Sequence, residues 1–313
     1  MNRQILVFLL ALLFLLLAPW LGGEALSWGE LFDPLSPSHR ILFELRLPRL
    51  LVTIAAGSSL AVLGGTYQII FHNALAEPYI LGISSGVTLG ILVGELLFKS
   101  HAVFMGMVFG ILATFFILFF IYRAAGKTMD RIILFGTGLN FVLSSSVLLL
   151  ATLQEQQVAG SSLRWLFGQI PWVSLQEGIF FNLGMLPFIL ILWVLGRSLD
   201  ALSLGHAVAR TLGVLPNKIV GGILALTSFW LAILVSVTGV IGFVGLVIPH
   251  LVRLFLQPKN TRELFLHSAF YGSVFLTLAD VLSRVLYPPT EFPVGVITAL
   301  LGGPLFLWAL CKR

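Results

Sequence analysis

An all-α protein that crosses a bilayer about ten times is the fold class this sequence predicts, and three observations carry the prediction. The mean hydropathy is +1.03 and 58% of the residues are hydrophobic, too apolar for one soluble core. Apolar runs of crossing length recur along the 313 residues, and a hydrocarbon layer roughly 30 Å thick needs about 20 helical residues per passage. Charge is scarce, with 18 Lys and Arg and 13 Asp and Glu, and it is concentrated between the runs. No loop is long enough to form a separate domain, so residues 1–313 read as a single transmembrane domain.

The first run, residues 5–21, follows Arg3 and has the flank and length of a secretory signal. It ends in Pro19-Trp20 rather than a small-x-small cleavage site, which favours an uncleaved first span. The second, near 48–71, opens at Pro48, a residue suited to a first helical turn, and spaces Gly57, Ala61 and Gly65 four apart. The third, 83–98, carries a stripe of Gly82, Gly86, Gly90 and Gly94; the fourth, 102–121, carries Gly106 and Gly110. Small residues at that spacing let helices approach closely in lipid, which predicts a compact bundle and locates no site. The fifth to seventh spans fall near 132–153, 178–196 and 219–238. The eighth, 243–256, is short and is preceded or opened by Gly239, Gly242 and Gly245, so a broken or partial crossing is open there. The ninth and tenth fall near 266–285 and 294–310.

Basic residues set the orientation. With the N-terminus inside, 12 of the 18 lie on the cytoplasmic side: Arg3; Arg123, Lys127 and Arg131; Arg197, Arg210 and Lys218; Arg253, Lys259 and Arg262; Lys312 and Arg313. Arg40, Arg46, Arg49, Lys99, Arg164 and Arg284 remain outside. Both termini are therefore expected in the cytoplasm. The net charge of +5 comes without any basic run, which argues for topology rather than nucleic acid. The one cysteine, Cys311, excludes an intrachain disulfide.

Charges inside apolar spans are functional candidates. Asp280 and Arg284 are four apart and share a helix face. Either they neutralise one another, or Arg284 faces outward with Arg46 and Arg49, where three arginines on the arginine-poor side suit an anionic partner. His250, after Pro249 in the eighth span, reads as structural. Ala124 to Thr128 ends like a phosphate-binding loop, but Ile121 stands where the first glycine is needed. No metalloprotease, C-x-x-C or nucleophile motif is present. Uphill transport would thus draw its energy from another subunit.

The cytoplasmic stretch 197–216 is patterned as a short docking helix. Ser203 is placed as its cap, Leu204, Val208 and Leu212 along one face, and Gly213 as its stop, with Pro216 beyond. Arg210 alone on the polar face fits a partner's groove better than a lipid surface.

These segments carry a family resemblance. Arg46-Leu-Pro-Arg49, His72-Asn-Ala-Leu-Ala-Glu-Pro78 and Leu81-Gly-Ile-Ser-Ser-Gly86 resemble FecCD-type permeases. So do Leu202-Ser-Leu-Gly205 with Ala209-Arg-Thr-Leu-Gly-Val214, the stretch Gly242 to Arg253, Ala279-Asp280 with Arg284, Phe292-Pro-Val-Gly295 and Gly302-Gly-Pro304. The resemblance is nearly full length. It implies a BtuC-like ABC importer permease fold, in the bacterial inner membrane, for a ferric siderophore, haem or cobalamin. It further implies a homodimer, two cytoplasmic ATPase subunits that use the ATP, a periplasmic or lipid-anchored binding protein, and no cofactor or metal on this chain. By the same likeness, Arg46, Arg49 and Arg284 meet the binding protein. Ser203, Leu204, Gly205, His206, Val208, Arg210, Leu212 and Gly213 meet the ATPase. Asn140, Ser144 and Ser145, with Ser146, line the pathway. The chain departs from the family pattern at His206-Ala207, where an acidic pair is common, and at Gly168-Gln169 after Trp165, where Gly-Ser is usual. The rival readings are an ion-coupled secondary transporter that acts without an ATPase subunit and a membrane-embedded enzyme.

Overall fold

The structure is a computed structural model that describes residues 3–22, 24, 26–31, 33–98, 101–123, 129–154, 167–287 and 290–311. Among these residues the secondary structure is entirely helical. The helices are α1 (Arg3–Leu17), α2 (Pro37–Arg40), α3 (Leu47–Ile70), α4 (Ile83–Phe98), α5 (Ala102–Arg123), α6 (Met129–Gln154) and α7 (Leu175–Val194). They continue with α8 (Gly196–Ser203), α9 (His206–Thr211), α10 (Pro216–Thr238), α11 (Val244–Phe255), α12 (Thr261–Val285) and α13 (Val294–Cys311). Among the described residues, five helices are long and apolar enough to cross a membrane, and five shorter apolar ones fall at residues 5–20, 83–97, 102–113, 244–255 and 294–309. Together these occupy the ten expected positions, and the eighth, α11, is short as its glycines imply. Lys99, Lys127, Glu155, Arg164, Trp165, Lys312 and Arg313 lie outside the described residues, as does the loop-like stretch 124–128.

The chain divides into two compact units, with the division inside α3 at Gly65 and Thr66. The first unit holds residues 1–65, 170–193 and 242–313. Its helices meet backbone to backbone where both partners lack a side chain. A Cβ on Gly64 of α3 would collide with the Gly245 carbonyl of α11, and one on Gly57 would collide with Gly272 of α12. Such contacts give α3 a tightly enclosed course in a medium where packing, not water, drives association. The Ser58 hydroxyl adds a hydrogen bond to the Ala269 carbonyl at 2.9 Å. On α11, His250 is buried with its ring edge on Phe306, centroids 5.7 Å apart.

The second unit holds residues 66–169 and 194–241. The glycine stripe of α4 packs on α5: Gly86 faces Ala113, Gly90 faces Phe109 and Gly94 faces Ala102. The Tyr79 hydroxyl donates to the Ile241 carbonyl at 2.9 Å, tying the turn before α4 to the chain that follows α10. Gly168, at positive φ, backs onto the Val240 carbonyl, and the neighbouring Gln169 amide donates to the Thr238 carbonyl at 2.8 Å. In contrast to α3, α6 leaves most of its surface uncovered, with Leu134, Phe141 and Leu153 exposed.

Candidate functional site

The first unit draws Arg46, Arg49 and Arg284 together, but it turns them inward. Arg46 ends a π-helical segment, Ile41–Arg46, that leads directly into α3. Its Nη1 donates to the carbonyls of Pro19 and Trp20 at 3.2 and 3.3 Å. Its Nη2 donates to the Glu24 carbonyl at 2.7 Å. These acceptors lie at and beyond the end of α1, where carbonyls have no helical donor left. Arg284 donates to the Leu21 carbonyl of the same stretch at 3.1 Å. Two guanidinium groups thus close one open helix end.

Arg49 sits one turn further along α3 and is 1% exposed. Its Nε donates to Asp280 Oδ1 at 2.7 Å, and its Nη1 pairs with Glu291 at 2.8 Å. Asp280 also pairs with Arg284, Oδ2 to Nη2, at 3.2 Å. The guanidinium of Arg49 lies 5.1 Å from the Trp172 ring centroid, within cation–π range. Two cations and two carboxylates therefore balance in a low-dielectric setting, where leaving any one unpaired is costly. Of the two readings open for Arg284, the structure shows the pair with Asp280, and Arg46 and Arg49 are buried and engaged by their own chain. Glu291 completes the cluster. Nothing in the sequence pattern around this loop residue points to a helix 242 positions away.

In the second unit, residues 196–216 form two short helices rather than one. Ser203 ends α8, its hydroxyl donating back to the Asp200 carbonyl at 2.7 Å. The expected Ser203 cap is thereby corrected. Gly205 precedes α9 at φ +100°, a conformation that a side chain strains, which is why glycine takes the cap position. Gly213 closes α9 as expected: its amide donates to the Arg210 carbonyl, and the Val214 amide donates to that of Ala209. Leu204 just after α8, Val208 on α9 and Leu212 just after α9 are 65%, 43% and 60% exposed, so three large apolar side chains of this segment have no cover. Pro216 begins α10 immediately afterwards.

His72, just past α3, bonds the Leu202 carbonyl through Nε2 at 3.0 Å. Its ring edge faces His206, with centroids 6.5 Å apart. Burial, with His72 and Arg210 nearby, holds the His206 imidazole below its usual pKa.

The polar residues of α6 meet α4. The Ser85 hydroxyl donates to Asn140 Oδ1 and shares a 2.9 Å hydrogen bond with the Ser144 hydroxyl. The Asn140 backbone approaches Gly82 so closely that a Cβ there would lie 3.2 Å from its Cα. Ser145 is exposed on the uncovered side of α6, and Ser146 turns back to the Val142 carbonyl. Among the described residues, no cluster of three or more His, Cys, Asp or Glu is placed to hold a metal ion.

The sequence profile of the FecCD transport family matches residues 8–312. The chain is 34% identical over 314 residues to the vitamin B12 import system permease protein BtuC of Vibrio vulnificus (strain CMCP6), covering 99% of this chain and 94% of that one. It is 33% identical over 324 residues to the hemin transport system permease protein HmuU of Yersinia pestis, covering 99% and 96%. A solved structure described as an inward-facing conformation of a metal-chelate type ABC transporter superposes with a TM-score of 0.85. It is 29% identical and covers 98% of this chain and 99% of that one.

Proposed function

This chain belongs to the FecCD transport family, and from that premise we propose that it is the transmembrane permease subunit of an ATP-binding-cassette importer. Its cargo is a metal chelate or corrinoid: a ferric siderophore, haem or cobalamin. The observation that carries the reading is similarity along the whole chain to permeases named for vitamin B12 and hemin transport. The bare apolar face of α8 and α9 supports it independently. A helix surface of that kind, outside the spans, calls for a protein partner.

In this reading residues 1–313 act as one permease domain in the bacterial inner membrane, with both termini cytoplasmic. Two copies pair around a pathway to which Asn140, Ser144 and Ser145 contribute. Two ATPase subunits hydrolyse the ATP, this chain binding no cofactor. Each grips the segment 203–213, where burying Leu204, Val208 and Leu212 contributes about 1.5–3 kcal/mol apiece before ordering costs. Leu212, Gly213, Val214 and Leu215 are the whole link from α9 to α10. So short a connection transmits a displacement of α9 to a membrane helix instead of absorbing it. A binding protein delivers cargo to the side that carries Arg46, Arg49 and Arg284.

An ion-coupled carrier is the second reading, and one observation weighs against it. Asp280, the buried acid of α12, is already bound to two arginines and is poorly placed to relay protons. Proteoliposomes separate the two. Uptake that needs the ATPase subunit, the binding protein and ATP supports the importer. Uptake by this chain alone, driven by a proton or sodium gradient, contradicts it.

A further inference from the structure

The two carboxylates on Arg49 are not equivalent. Asp280 lies within α12 with its side chain 4% exposed, and it serves Arg49 and Arg284 at once. Its departure would strand two cations. Glu291 belongs to the connection between α12 and α13, has a side chain 21% exposed, and directs both oxygens at Arg49 Nη1, at 3.1 and 2.8 Å. Among the described residues its ion pair is with Arg49 alone. The backbone beside it is pinned, since the Phe292 amide donates to the Ser283 carbonyl at 3.2 Å. Rotation of the Glu291 side chain alone would release Arg49 while this backbone hydrogen bond stays in place. Arg49 Nη2 is buried and has no hydrogen-bond partner. Arginine presents its donors in a rigid fork that takes a carboxylate bidentately. Here one edge of the fork is fixed by Asp280, and the other holds an exchangeable acid beside a spare donor.

We infer that Glu291 is an internal placeholder, exchanged on Arg49 for a carboxylate of the docking protein while Asp280 keeps the guanidinium in position. This rests on the proposal that a binding protein meets this side of the chain. It accounts for an arginine that is buried in the free chain yet available to a partner. Its cost is that docking competes with the chain's own acid: when Glu291 leaves Arg49 free for roughly one-tenth of the time, apparent affinity is reduced about tenfold.

The test uses the permease reconstituted with its ATPase subunit and the binding protein that stimulates ATP hydrolysis by that complex. Glu291→Gln should tighten binding-protein affinity about tenfold while lowering the thermal midpoint of the permease. Unchanged or weaker affinity in a folded Glu291→Gln complex overturns the placeholder. Glu291→Asp, which draws the carboxylate back by one methylene, should tighten docking by less and serves if the glutamine variant does not fold. Arg49→Lys, which cannot bond Asp280 and a second carboxylate in the same way, should weaken docking. Wild-type affinity in Arg49→Lys removes Arg49 from the docking contact altogether. Weakened docking there with no tightening in Glu291→Gln leaves the docking contact standing and overturns only the exchange.

Discussion

The arginine cluster of the first unit and the short helices of the second are both marked by sequence as contact points, and they are built in opposite ways. In the cluster, every cation has found a partner inside its own chain, and Arg49 is 1% exposed. On and beside α8 and α9, three large apolar side chains have no cover, and Leu204 is 65% exposed. Desolvation explains the contrast. An unpaired guanidinium in an apolar setting costs several kcal/mol, so the fold supplies acceptors, and any partner must exchange with them. An exposed leucine costs far less, so it can remain bare until a groove arrives. Removing the Asp280 charge should therefore destabilise the fold, and adding a charge to the short helices should break an association.

The largest expected effect is that of Leu212→Asp. It places an unpaired carboxylate in the proposed ATPase groove, at a cost of several kcal/mol. The ATPase should detach, measured by co-elution, or hydrolyse ATP without import, while the permease remains folded. Asp280→Asn should do the reverse. It leaves Arg49 and Arg284 facing a neutral amide, and breaking such a buried pair costs about 3–5 kcal/mol. The thermal midpoint in detergent should fall by several degrees, and whatever folds should still bind the ATPase. Equal stability of Asp280→Asn and wild type would end the contrast between the two regions.

The smallest effect concerns His206. Its folded-state pKa lies below the unfolded value, through burial and the neighbouring His72 and Arg210. The folded chain then binds fewer protons than the unfolded one, so its contribution to stability is present above an unfolded pKa of about 6.5 and is lost as pH falls from there through the lower folded-state pKa. A slight drop in thermal midpoint on acidification, absent in His206→Asn, is the expected result.

Much of this was legible in the sequence, for reasons that also explain what was not. Residues 83–98 were expected as a helix, and α4 runs Ile83–Phe98, because glycines and apolar residues there follow one period and turn signals flank them. The start of α12 was placed five residues late, near 266. Hydropathy sees apolar residues, whereas the helix begins at Thr261 under a cap from Asn260. The start of α7 was likewise missed, although Ser174 and Glu177 form a capping box at 2.7 Å. The partners of Arg46 could not be read at all, since they are backbone carbonyls, which every residue has. The cap of α9 was misassigned because Ser203 and Gly205 are both permitted there, and the backbone at φ +100° decides for glycine.

The account rests most heavily on the ATPase covering the face of Leu204, Val208 and Leu212. A nitroxide attached at Leu212→Cys, in a chain with Cys311→Ser, reports this directly through its accessibility to a water-soluble relaxation agent. In the isolated permease the label should be open to water, as the side chain is 60% exposed. Adding the ATPase subunit should sharply reduce that accessibility, and a label at exposed Leu134 on α6 should not respond. An assembled complex in which Leu212 stays as accessible as before would contradict the account.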